Sequence, residues 1–141
     1  ELFDQRKISR VVPGFVLQPS YTCFDDPRCD IELNGEFRAN NIENDVPFCK
    51  GTVAMGGVGM VASGTCFFIT LSDEAGQTLD GRFAAFGSVI GGWGTVEKIV
   101  NAPLRPVEND MGVAVNEPIT PIYLEKVTIE TWGRSYPFER L

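Results

Sequence analysis

The chain has 141 residues, 43% of them hydrophobic and 22% charged, which suits one domain with a real core and leaves no length for several. A formal net charge of −7 argues against nucleic acid or anionic lipid as a main partner. The absence of any histidine excludes Ser-His-Asp and Cys-His nucleophilic enzymes and every histidine-ligated zinc site.

In chain order, Glu1 to Arg10 is charged and lacks the apolar core of a secretory signal. Val11-Val12 and Phe15 to Gln18 are short apolar strands around the bend Pro13-Gly14. Residues 51–72 form an uncharged run of 22, long enough for a bilayer, but its five glycines and Gly56-Gly57-x-Gly59 break it into two strands and a loop. No direct membrane span is expected. Gly51 to Met55 and Cys66 to Leu71 carry the Val, Phe, Ile and Thr that strands prefer. A turn at Leu79-Asp80-Gly81-Arg82 leads into a strand over Phe83 to Ile90. Thr95 to Asn101 reads as the single short helix, with Thr95 as its N-cap. Asn101 to Pro121 is a Pro- and Asn-rich connection, and Leu124 to Glu130 alternates as a partly buried strand. The fold class is mainly β, a closed antiparallel barrel with one short helix.

The cysteines are Cys23, Cys29, Cys49 and Cys66, and none forms a C-x-x-C pair, which disfavours a four-cysteine zinc site. Cys23 and Cys29 bracket a segment short enough for a small disulfide loop; the redox state stays open.

Arg10-Val11-Val12-Pro13-Gly14-Phe15-Val16-Leu17-Gln18 resembles the cyclophilin motif that contributes the active-site arginine. Gly51 to Met55, Gly64, Cys66-Phe67-Phe68-Ile69-Thr70-Leu71, Leu79-Asp80-Gly81-Arg82 and Phe86-Gly87-x-Val89 resemble that family's later blocks in order and spacing. The resemblance runs from about residue 3 to residue 133. It implies a peptidyl-prolyl cis–trans isomerase fold, an eight-stranded barrel with capping helices, that uses no cofactor and no metal. Its opening strands and first helix are expected to be missing from this chain, leaving Leu124 to Glu130 without neighbours. The domain is expected to occupy residues 1–131, followed by a tail over 132–141.

By position, the resemblance makes Arg10 the guanidinium that assists rotation, Phe15 and Phe68 the aromatic walls of a proline pocket, and Gln18 the side chain that orients the arginine. Leu79 is the pocket's aliphatic side, while Val16, Gly57, Cys66 and Phe83 stand at substrate-binding positions where the family pattern has methionine, asparagine, glutamine and histidine. Thr78 replaces a bulky residue, so weak cyclosporin binding is expected. The implied function is an isomerase acting, weakly or selectively, on proline-containing protein segments. The same substitutions and the tail also fit a non-catalytic cyclophilin-fold subunit of a larger multi-protein complex.

Overall fold

The structure, a computed structural model, describes residues 2–19, 31–137 and 141. Its strands are β1 (Arg6–Lys7), β2 (Arg10–Val12), β3 (Val16–Gln18), β4 (Glu32–Asn34), β5 (Thr52–Met55), β6 (Val61–Ser63) and β7 (Phe67–Thr70). After α1 (Asp73–Leu79) come β8 (Ala85–Ser88), α2 (Trp93–Val100), β9 (Leu104–Arg105), β10 (Glu117–Pro118) and β11 (Tyr123–Leu124).

Pro13-Gly14 creates the first hairpin. Proline pre-sets the second turn position, Gly14 takes φ 74° at the third, and the Phe15 N–H donates to the Val12 carbonyl at 2.9 Å. That turn fixes the β2–β3 register, setting Val12 opposite Val16 and Arg10 opposite Gln18. The hairpin is one edge of a five-stranded sheet in the order β2-β3-β7-β5-β8. Every neighbouring pair is antiparallel, with Leu17 opposite Ile69, Ala54 opposite Phe68, and Ala54 opposite Ala85.

Because opposed residues share a face and successive residues alternate, this register sorts the side chains into two sets. Val11, Leu17 and Ile69 point one way and form a core with Ile8, Leu71 and Val96 of α2. Arg10, Val16, Gln18, Phe68 and Ala54 point the other way. There Val16, Phe68, Ala54 and Ala85 pack with Leu79 of α1, flanked by Phe15, Phe48 and Phe83. The sheet is covered on both faces, which is why all of β3 is buried. A polar pair, Arg10 and Gln18, therefore lies at one end of the second apolar face.

Two α-helices are present among the described residues, where the sequence predicts one. Helix α1 follows Ser72, whose side chain accepts from the Ala75 N–H at 3.0 Å, with Asp73 and Glu74 in the first turn. That is a standard N-terminal signal. Gly76 breaks helical propensity there, yet a Cβ on Gly76 would lie 2.6 Å from the Phe48 carbonyl. Helix α2 begins at Trp93 behind Gly92, not at Thr95; Gly92 takes φ 75°, and Thr95 lies within the first turn.

Three further pairs complete the described strands: β1 with β11, β10 with β9, and β4 with β6. The expectation of closure into one barrel is met only this far, by a sheet and three satellite pairs among the described residues. The expected strand over 83–90 is shorter, covering Ala85–Ser88, and the expected strand over 124–130 is only Tyr123–Leu124. Nor does β11 lack a neighbour, since Leu124 pairs with Arg6 and Tyr123 with Lys7. Beyond it, Asp4 Oδ1 accepts from the Val127 N–H at 2.7 Å, so a side chain replaces the ladder. The Leu141 N–H donates to the Glu32 carbonyl of β4 at 3.0 Å. Cys23 and Cys29 lie outside the described residues, while Cys49 is a free thiol.

Candidate active site

Arg10, Phe15, Val16, Gln18, Gly57, Cys66, Phe68, Leu79 and Phe83, all singled out from sequence, line one cleft of about 820 Å³. The structure brings them together from β2, β3, α1, β7 and the segments flanking β5, β7 and β8.

Arg10 is 9% exposed, so its orientation is set by the protein. Its Nε donates to the Ala114 carbonyl at 2.6 Å and its Nη1 donates to Gln18 Oε1 at 2.5 Å. The guanidinium carbon lies 5.9 Å from the centre of the Phe15 ring. A buried cation needs such partners, and a planar fork held at two points is rigid. Gln18, 4% exposed, passes the constraint onward by donating from Nε2 to Cys66 Sγ at 3.5 Å. Cys66 is two residues before Phe68 on the strand side that faces the cleft.

The apolar half of the cleft is built around Phe68, which is 3% exposed. Phe83 meets it edge-on, with centroids 5.3 Å apart and planes at 89°, and Phe48 lies 6.5 Å away on a tilted plane. Val16 forms the floor on β3 and Leu79 closes one side from the last turn of α1. The edge-on pair adds about 0.5–1.5 kcal/mol beyond area burial. A smaller hollow of about 150 Å³ shares Phe83 as a wall but includes none of the other eight residues.

Gly57 has a steric reason to be glycine. The loop after β5 doubles back so closely that a Cβ there would lie 1.9 Å from the Val61 carbonyl oxygen. The Ser63 N–H donates to the Gly56 carbonyl, and the Gly56 N–H to the Cys66 carbonyl, each at 2.7 Å.

Sequence reading missed the far wall. Asn101 to Pro121, by sequence a plain connection, forms a ribbon around β9 and β10, and its tip brings Asn109, Met111 and Val113 into the cleft. This ribbon also supplies the Ala114 carbonyl to Arg10, and its Asn116 carbonyl accepts from the Val11 N–H at 2.7 Å. At its base, Glu117 accepts from Lys7 Nζ at 2.6 Å and also pairs with Arg105. The bond from Lys7, helped by that from Arg105, holds the Glu117 carboxyl below the usual carboxylate range. Ile31, Glu32, Val58, Val61 and Ser63 complete the lining on the β4–β6 side. No cluster of three or more His, Cys, Asp or Glu suited to a metal occurs among the described residues. None of the described helices is long and apolar enough to cross a membrane.

Crystal structures of a Cryptosporidium parvum cyclophilin type peptidyl-prolyl cis-trans isomerase share the fold. The one determined in the presence of the dipeptide Ala-Pro superposes with a TM-score of 0.66 at 20% identity, over 92% of this chain and 77% of that one. A second structure of that protein gives a TM-score of 0.65 at 21% identity, over 96% of this chain and 76% of that one. In sequence, residues 1–129 match the family described as "Cyclophilin type peptidyl-prolyl cis-trans isomerase/CLD". The chain belongs to that family. No curated protein matches it significantly.

Proposed function

We propose that this chain is a peptidyl-prolyl cis–trans isomerase acting on X-Pro bonds of protein segments, with Arg10 as the catalytic cation. The observation that carries this reading is the buried Arg10 fork, held at two points on the same sheet face as the Phe68 pocket. The reaction breaks no bond; it crosses a rotational barrier of about 18–20 kcal/mol maintained by amide resonance. Twisting the C–N bond restores a lone pair to the prolyl nitrogen. A pre-aligned guanidinium that donates toward it binds the twisted state better than either planar state. No proton is transferred, which suits a chain without histidine.

The hollow among Phe15, Val16, Phe68, Leu79 and Phe83 takes the pyrrolidine ring and excludes water, strengthening the arginine's field. Gln18 acts as a positioning residue for Arg10. The Ala-Pro dipeptide used with the Cryptosporidium parvum relative is the ligand class expected here. Glycine at 57 and cysteine at 66 offer fewer side-chain hydrogen bonds than the amides of the family pattern, so turnover is weaker or more selective. The described strand pairs are parts of one cyclophilin-type barrel in this reading.

A protease-coupled assay on a short X-Pro peptide tests the proposal. Acceleration over the thermal rate that vanishes in Arg10→Ala supports it. A folded wild type with no acceleration overturns it and leaves the scaffold reading.

A further inference from the structure

Two large apolar side chains on the cleft remain in water: Val58 is 84% exposed and Met111 is 77% exposed. They arise from different parts of the sheet. Val58 follows β5, whereas Met111 belongs to the ribbon hydrogen-bonded outside β2, and two strands separate β2 from β5. At about 4.8 Å per strand, β2 and β5 are roughly 14 Å apart, the span of about four extended residues.

The ribbon tip is closed by its own hydrogen bonds. Asn109 Oδ1 accepts from the N–H groups of Met111 at 3.0 Å and Val113 at 2.9 Å. The Asn109 N–H donates to the Val113 carbonyl at 3.0 Å, and the Gly112 N–H donates to the Asn109 carbonyl at 2.9 Å. The same ribbon fixes Arg10 through Ala114, so Met111 is presented at a set place relative to the guanidinium. Among the described residues lining the cleft, the charged side chains are Arg10 and Glu32.

Resting on the proline-binding reading above, we infer that Met111 and Val113 form a specificity wall facing Val58 and Val61. The wall selects X-Pro segments in which bulky apolar residues flank the proline. An extended segment crossing the cleft places its proline in the Phe68 pocket and its flanking side chains between these two banks. Both banks are then covered, which removes apolar surface from water. An acidic flanking residue gains nothing from this wall and meets Glu32.

The test uses three hexapeptides, Ala-Ala-Ala-Pro-Ala-Ala, Ala-Ala-Leu-Pro-Leu-Ala and Ala-Ala-Glu-Pro-Glu-Ala, titrated against the full chain by NMR. Isomer exchange is measured in the same samples. Wild type is expected to bind the Leu peptide about tenfold more tightly than the Ala peptide, with the Glu peptide weakest. Met111→Ser reduces the Leu-to-Ala ratio below about threefold, whereas Met111→Leu keeps it. The exposed position makes both variants compatible with folding. Equal wild-type affinity for the Leu and Ala peptides, a preference unchanged in Met111→Ser, or binding of none of the peptides overturns the inference. If exchange is accelerated in such a sample, the isomerase reading survives; if it is not, that reading falls as well.

Discussion

Gln18→Glu separates the stability of the site from its chemistry. The substitution is nearly isosteric and places a carboxylate where Gln18 Oε1 already accepts from Arg10 at 2.5 Å. A charge-assisted bond is about twice as strong as a neutral one, which adds on the order of 1 kcal/mol. Burying the carboxylate at a position only 4% exposed offsets most of that gain. Stability should therefore stay within about 1 kcal/mol of wild type. Catalysis moves differently, because the carboxylate turns the guanidinium's field away from the prolyl nitrogen. A pre-aligned transition-state donor is worth about 2.7–4 kcal/mol, and losing roughly half of it lowers kcat/KM by about ten- to thirtyfold. The assay pairs thermal unfolding with isomer-exchange rates on one X-Pro peptide. Unchanged kcat/KM in Gln18→Glu, or a rate loss that merely follows a loss of fold, refutes the reasoning.

Other consequences are as direct. Gly76→Ala in α1 should destabilise by more than about 1 kcal/mol despite alanine's better helix propensity. Its Cβ would fall 2.6 Å from the Phe48 carbonyl; Gly94→Ala in α2, with nothing within 4 Å, should stabilise by about 0.5 kcal/mol. Both are read by chemical denaturation. Gly57→Ala drives a Cβ to 1.9 Å from the Val61 carbonyl oxygen, so peptide affinity measured by titration should fall several-fold as the loop shifts. Glu117 is held below its ordinary pKa by Lys7 and Arg105, so it stabilises the fold above the unfolded carboxylate pKa of about 4.3. That contribution disappears as pH falls through the folded value. Thermal unfolding of wild type and Glu117→Gln should accordingly differ at neutral pH and converge under acid.

The parts of this fold readable from sequence are those written in local chemistry. Pro13-Gly14 dictates a turn, the turn dictates a register, and the register sets Arg10 opposite Gln18. Phe68, Leu79 and Phe83 were each identifiable as pocket positions through the resemblance and come together in the cleft. Helix α1 was also legible, in Ser72-Asp73-Glu74, but Gly76 obscured it, because its close approach to Phe48 is invisible in sequence. The alternation over Leu124 to Glu130 misled, since alternating side chains imply a strand only where a neighbour supplies the ladder. There the Gln5 Nε2 amide donates to the Glu125 carbonyl at 2.9 Å and Asp4 Oδ1 accepts from Val127 instead. The ribbon wall was beyond reach: its link to Arg10 joins residues 104 apart, and no local signal announces a contact at that separation.

The central claim is that a buried, doubly held guanidinium accelerates rotation about an X-Pro bond. Two-dimensional exchange NMR on an Ala-Pro tetrapeptide, with wild type and Arg10→Ala at equal concentration, measures this directly. The account predicts acceleration by wild type and a loss of about 10²–10³-fold in a still-folded Arg10→Ala. Equal rates with the two proteins, or no acceleration by either, would contradict it.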